Sequence, residues 1–384
     1  MTADETAVRR EGAPPAPASS VHQGIAARWL RPQRIVTLVV IVVLIVLPFS
    51  LGAGNLDLAV NVLIMAIGAL GLEVLIGRTG QVSLGHAFFL GIGAYTAGKL
   101  GTDHHLNALI WIPAAGVIAG VVGGLVGPTA LRLRGLYLGI VTIGLLFIGS
   151  EWIFPDWTWL TGGPGGRAIA PPRFGSQDFT AGARLGGLTF SSDGLYYYLA
   201  LVILGIGMVY VHNLHRSRVG RGMLAVRDRE LAAAVVGVNV ARTKETAFIV
   251  SSALAGICGS LYGAHLSFVV PTDWNLELSI TFVVAIVVGG MGSLWGPLLG
   301  AFVVVGLPQL LQNASSSLPL VENSQGNGGV VSTGDAANFI FGVLLIVFLI
   351  VEPRGVVGLG SRIAALAGRL RRAPAGTAGH RGSR

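Results

Sequence analysis

LIWIPAAGVIAGVVGGLVGPTAL, from Leu109 to Leu131, decides the fold class. It carries no charged residue. As a helix it would reach about 34 Å, enough to cross a ~30 Å hydrocarbon core. Similar windows occur at Ile35 to Leu51, at Gly194 to Leu214, and at Phe339 to Val351 with its flanks. The chain is 52% hydrophobic and 11% charged, with a mean hydropathy of +0.71. A soluble domain would carry roughly 25% charged residues. The ten-residue apolar/polar alternation of a membrane β-barrel is absent. The expected class is therefore all-α: a polytopic membrane protein of about ten transmembrane helices.

Hydropathy and loop charge place the crossings near 35–51, 56–76, 82–101, 109–131, 135–154, 194–214, 245–270, 278–290, 293–311 and 336–352. The segment 278–290 is short, so 278–311 reads either as two spans or as a broken or re-entrant pair. The domain reading is a tail, 1–34, a membrane domain, 35–352, and a basic tail, 353–384. With the first tail inside, 22 of the 26 Lys and Arg fall on the cytoplasmic side. Only Lys99, Arg167, Arg173 and Arg184 fall outside. The positive-inside rule then puts both termini in the cytoplasm. The tail's Arg362, Arg369, Arg371 and Arg372 around Ile363, Leu366 and Leu370 suit an interfacial helix on membrane lipid. The run 35–51 lacks a convincing cleavage site and reads as a retained span. The net charge of +8 sits beside apolar spans, which argues against nucleic acid. Cys258 is the single cysteine, so no internal disulfide and no cysteine-based metal site is expected.

Two outside loops, 155–193 and 308–335, exceed ordinary connector length. The first carries TGGPGG, Thr161 to Gly166. The cytoplasmic loop 215–244 is more informative. From Arg216 to Lys244 it reads RSRVGRGMLAVRDRELAAAVVGVNVARTK, with seven Lys and Arg. Ala225 to Gly237 reads as one short amphipathic helix, and a charged helix kept between two spans calls for a soluble partner.

Glycine occurs 57 times, about twice the usual share. Gly116, Gly120 and Gly124, and again Gly292, Gly296 and Gly300, recur every four positions, as close helix packing within one chain requires. Two turns, Gly77 to Gly85 and Gly289 to Gly296, resemble each other and suggest an internal repeat with interrupted helices. Polar residues in the spans are few. Asn61, Gln81, Ser83, His86 and Thr142 are candidates for a translocation path. Glu73 is expected to pair with Arg78. No metal site or cofactor is expected. Gly93 to Lys99 imitates a phosphate-binding loop, but Leu100 stands where Ser or Thr must ligate magnesium. No nucleophile motif is present, so the chain is not expected to be an enzyme.

GQVSLGHAFFLGIGAY (Gly80 to Tyr95) and AVRDRELAAAVVGVNV (Ala225 to Val240) resemble the LivM-type permease of branched-chain amino-acid ABC importers. GLYLGIVTIG (Gly135 to Gly144), TGGPGG, SALAGICGSLYG (Ser252 to Gly263), GGMGSLWGPLLGA (Gly289 to Ala301) and EPRGVVGL (Glu352 to Leu359) follow in family order. The resemblance implies a permease of a prokaryotic plasma membrane. Its implied partners are a second, LivH-like permease, two cytoplasmic ATPase subunits and an extracytoplasmic substrate-binding protein. It also implies that Arg227, Asp228, Arg229, Glu230, Ala232, Ala233 and Gly237 belong to an ATPase-coupling helix. The implied cargo is a branched-chain or other amino acid. A related urea or short-amide permease shares the motifs, and a self-contained channel or ion-coupled carrier is the alternative from another class.

Overall fold

The computed structural model describes residues 32–130, 136–174, 177–179, 182–185 and 188–310, with positions 342, 343, 346, 350 and 355–358 beyond them. Most of the two expected tails, of the loop 308–335 and of the span 336–352 lies outside the described residues.

The first helix, α1 (Pro32–Ser50), forms a unit of its own. The second unit contains α2 (Ala53–Leu72), α3 (His86–Ala97), α4 (Ala108–Ala130) and α5 (Leu136–Ile148), followed by α6 (Ser192–Arg216). The short α7 (Arg218–Asp228) and α8 (Glu230–Val235) precede the long α9 (Val240–Leu266). A hairpin of α10 (Leu276–Gly289) and α11 (Gly296–Ala301) follows. Side chains mark where four helices begin. Ser191, Ser217, Asn239 and Asn275 accept the N–H groups of Gly194, Gly220, Arg242 and Leu278 at 2.9–3.2 Å, satisfying donors that have no partner inside the helix.

Six helices among the described residues are long and apolar enough to cross a membrane: Gly54–Gly77, Ala108–Gly127, Tyr137–Asp156, Ser192–Arg216, Val240–Leu266 and Pro271–Gly289. Val40–Ser50 and Gly296–Leu310 are shorter apolar helices. The described residues therefore do not reproduce ten crossings. The stretch expected at 82–101 is helical only from His86, because Gln81 to Gly85 runs as non-helical backbone in which Gln81, Ser83 and Gly85 are buried and Val82 is exposed. Such backbone is tolerated at membrane depth only when protein groups surround it.

Packing is built around α9, which meets α4, α3 and α2 most extensively. Glycines set these contacts. A Cβ on Gly259 would stand 1.9 Å from the Leu90 carbonyl oxygen of α3, and one on Gly93 would stand 2.0 Å from that of Gly256. On the other side of α9, Gly116 faces Ile257, Gly120 faces Ala253 and Gly124 faces Ile249. The spacing noted in the sequence thus serves one helix pair. The α10–α11 hairpin closes similarly, since a Cβ on Gly300 would lie 1.7 Å from the Ala285 carbonyl. Without a hydrophobic drive between helices in lipid, dispersion across such close backbones holds the bundle together. In the span Gly54–Gly77, 89% of the most apolar window is buried, against 39% in Ala108–Gly127. The first is an interior helix, and the second presents an apolar face outward.

Candidate functional site

The cytoplasm-assigned loop is two helices set at a break. The single helix expected from Ala225 to Gly237 ends at Asp228, and Arg229 is extended (φ −154°, ψ 102°) before α8 starts. A side-chain tie stands on either side of the break. Residues three apart share a helix face, yet Arg227 and Glu230 are held by different elements. Arg227 donates from Nη1 to the Gly77 carbonyl at the end of α2. Glu230 Oε1 instead accepts from Lys244 Nζ of α9 at 2.7 Å.

The residues assigned to coupling therefore divide. Ala233 is buried, and Gly237 takes the left-handed conformation (φ +86°) that lets Val238 N–H return to the Ala233 carbonyl at 3.0 Å. Asp228, Arg229 and Ala232 are exposed. Beside them stand Leu231, Val235 and Val236, which are 74%, 87% and 77% exposed. The sequence reading missed these three, although a Leu–Val–Val set on a polar loop is the signal that could have found them. Three large apolar side chains on so short a segment, rimmed by charge, form an exposed apolar patch.

The two glycine turns come together at the base of this loop. An added Cβ at Gly80 would touch Arg227 Cγ at 3.4 Å, and one at Gly292 would lie 3.7 Å from its Nη1. Gly292 holds φ +87°, which leaves its N–H pointing to Glu73 Oε1 at 2.9 Å. Glu73 is fully buried, and this hydrogen bond comes in addition to the charge interaction with Arg78 expected from the sequence. Arg78 and Arg227 act on its carboxylate through space. Gly355, in the last of the sequence motifs, packs on the backbone of Gly290.

The polar residues proposed for a path fall into two groups. Gln81, Ser83, His86 and Thr142 gather around the non-helical segment before α3. Thr142 Oγ1 accepts from Leu84 N–H at 2.9 Å, and His86 Nε2 meets the Gly68 carbonyl of α2 at 3.1 Å. Ser279 of α10, another residue missed in the sequence, accepts from Ala87 N–H at 3.0 Å. Thr142 and His86 thus fasten the interrupted backbone to its neighbours. Gln81 differs: its amide oxygen and nitrogen are both buried without a hydrogen-bond partner among the described residues. Asn61 is half-buried and lies about 10 Å along α2 from Gly68. Among the described residues, no group of three or more His, Cys, Asp and Glu could hold a metal ion.

At the far end of α3, Asp103 accepts from Arg167 and, at 2.8 Å, from Lys99. Hydrogen bonding from Arg167, then from Lys99, lowers its pKa from 3.8 to about 2. Arg167 also opens β1 (Arg167–Ala168), which pairs antiparallel with β2 (Phe268–Val269), just beyond α9. The TGGPGG turn is thereby tied to the end of α9.

Comparison with known proteins adds the family. Residues 54–349 match the family described as the branched-chain amino acid transport system / permease component. The chain is 34% identical to the high-affinity branched-chain amino acid transport system permease protein LivM of Escherichia coli, over 73% of this chain and 69% of that protein. Its counterpart in Salmonella typhimurium is 33% identical over the same shares. The ribose import permease protein RbsC of Escherichia coli is 25% identical over 72% of this chain and 84% of that one. No solved structure matches the chain significantly.

Proposed function

This chain belongs to the branched-chain amino acid transport system permease family, and from that premise we propose that it moves branched-chain or other amino acids inward. It is a multi-pass membrane permease subunit of an ABC transporter and not itself an enzyme. The supporting observation is the α7–α8 loop, whose exposed Leu231, Val235 and Val236 stand ready to enter a cytoplasmic ATPase. Two ATPase subunits, a LivH-like second permease and an extracytoplasmic binding protein complete the assembly. The membrane domain, 35–352, lies in a prokaryotic plasma membrane with both tails, 1–34 and 353–384, in the cytoplasm. In this reading Asp228, Arg229, Glu230, Ala232, Ala233 and Gly237 shape or border the docking surface. Gln81 is the path residue with amide groups left for a polar solute, with Ser83, His86, Thr142 and Asn61 along the same route.

Reconstitution with the ATPase, second permease and binding protein tests the reading. Proteoliposomes should take up radiolabelled leucine, isoleucine or valine only when ATP is supplied. Uptake of urea in their place would reject the amino-acid assignment, and ATP-independent uptake would reject the ABC mechanism.

A further inference from the structure

We propose that Arg227 and Glu73 form the linkage that carries movement of the α7–α8 loop into the two interrupted segments of the bundle. Both act as positioning residues. The inference rests on the coupling reading above and assigns Arg227 a role other than contact with the ATPase.

The geometry concentrates three chain segments on two side chains. The Arg227 stem lies over Gly80, and its head lies beside Gly292 while donating to the Gly77 carbonyl. That carbonyl belongs to the π-helical turn Glu73–Gly77, which ends α2. Carbonyls at a helix C-terminus lack intrahelical partners and carry partial negative charge, so a guanidinium is a favourable cap. Glu73 makes the second tie, accepting Gly292 N–H at 2.9 Å across 219 positions of sequence. Its other carboxylate oxygen is buried with no hydrogen-bond partner among the described residues. The carboxylate occupies the space left by Gly77, where an added Cβ would come within 2.2–2.3 Å of it.

A displacement of α7 must therefore pull on the turn leading to Gln81 and on the turn between α10 and α11. Each turn begins or ends a helix that stops short of a full uninterrupted span. Lys244 holds Glu230 to α9, which leaves the joint at Arg229 between two anchored points. Removing the Arg227 tie should leave docking intact, because Leu231, Val235 and Val236 lie beyond that joint. Hydrolysis would then continue while the bundle fails to follow it.

The test measures ATP hydrolysis and leucine uptake together in proteoliposomes of the full complex. Arg227→Gln should copurify with the ATPase in normal proportion and hydrolyse ATP within about twofold of wild type. Its uptake should fall so that ATP consumed per leucine rises about tenfold, the scale of one lost charge-assisted hydrogen bond. Arg227→Lys, which keeps a donor cation, should recover part of that loss. Gly77→Ala, which displaces the Glu73 carboxylate, should raise the same ratio. Arg242→Gln, removing an exposed charge elsewhere on the loop, should leave it unchanged. Hydrolysis and uptake falling in proportion, or loss of the ATPase from the Arg227→Gln complex, would make Arg227 a docking residue and overturn the inference. So would an unchanged ratio in both Arg227→Gln and Gly77→Ala. A wild-type complex without ATP-driven uptake would remove the parent reading as well, and is told apart by the wild-type control alone.

Discussion

A single methyl group at Gly259 tests the packing. The Gly259→Ala Cβ would lie 1.9 Å from the Leu90 carbonyl oxygen, about 1.5 Å inside ordinary contact. The obstacle is backbone, so no rotamer change can relieve it, and α3 and α9 must move apart. Overpacking costs about 1–3 kcal/mol, and a backbone obstacle argues for the upper end. Alanine returns about 1 kcal/mol of helix propensity relative to glycine. The net loss is about 2 kcal/mol, or roughly 4 °C in apparent melting temperature for a bundle of this size. The assay is thermal unfolding of the detergent-solubilised permease, read by the loss of the monodisperse peak on size exclusion. Gly205→Ala is the control: no atom lies within 4 Å of the new methyl, so it should melt at or slightly above wild type. Equal melting of Gly259→Ala and wild type would refute the close α3–α9 contact.

Two further outcomes follow from the topology and the ion pairs. Cysteine at Arg218 should resist an impermeant thiol reagent in intact cells while cysteine at Arg173 labels; Cys258 is buried and gives little background, and labelling at position 218 from outside would reverse the orientation. Because the Asp103 pKa is lowered in the folded protein, from 3.8 to about 2, its contribution to stability is present above about pH 4 and lost as pH falls toward 2. Asp103→Asn should therefore melt below wild type at neutral pH and match it near pH 2; a gap that widens on acidification would contradict the sign.

The sequence made the membrane class legible because twenty uncharged residues leave a helix in lipid few alternatives. The glycine spacing at Gly116, Gly120 and Gly124 announced a close helix contact, but not that α9 would be its partner. Pairings across great separations were hidden. The interaction of Glu73 with Arg78, a neighbour in sequence, is legible, but its hydrogen bond from Gly292 is not, because it depends on a left-handed glycine turn that aims its N–H at the carboxylate. Ser279 was invisible for the same reason: its partner, the Ala87 N–H, exists only because α3 starts late. The loop 215–244 stood out by charge. Its division at Arg229 did not, since periodicity alone continues through that residue. Leu231, Val235 and Val236 were passed over because apolar residues on a short amphipathic helix are ordinarily inward, whereas here Ala233 takes the inward place.

In the proposed function, the α7–α8 loop receives the motion of an ATPase through its exposed apolar residues. Its most direct test is ATP-driven leucine uptake by proteoliposomes carrying the complex with Leu231→Asp and Val235→Asp combined. Both positions are exposed in the permease, so the variant should reach the membrane and melt as wild type. Burying either apolar side chain is worth up to about 1.5–3 kcal/mol, and a buried unpaired carboxylate costs more. In this variant the ATPase should no longer copurify, and uptake should fall to the ATP-free background. Full ATP-driven uptake by the double variant would contradict this reading.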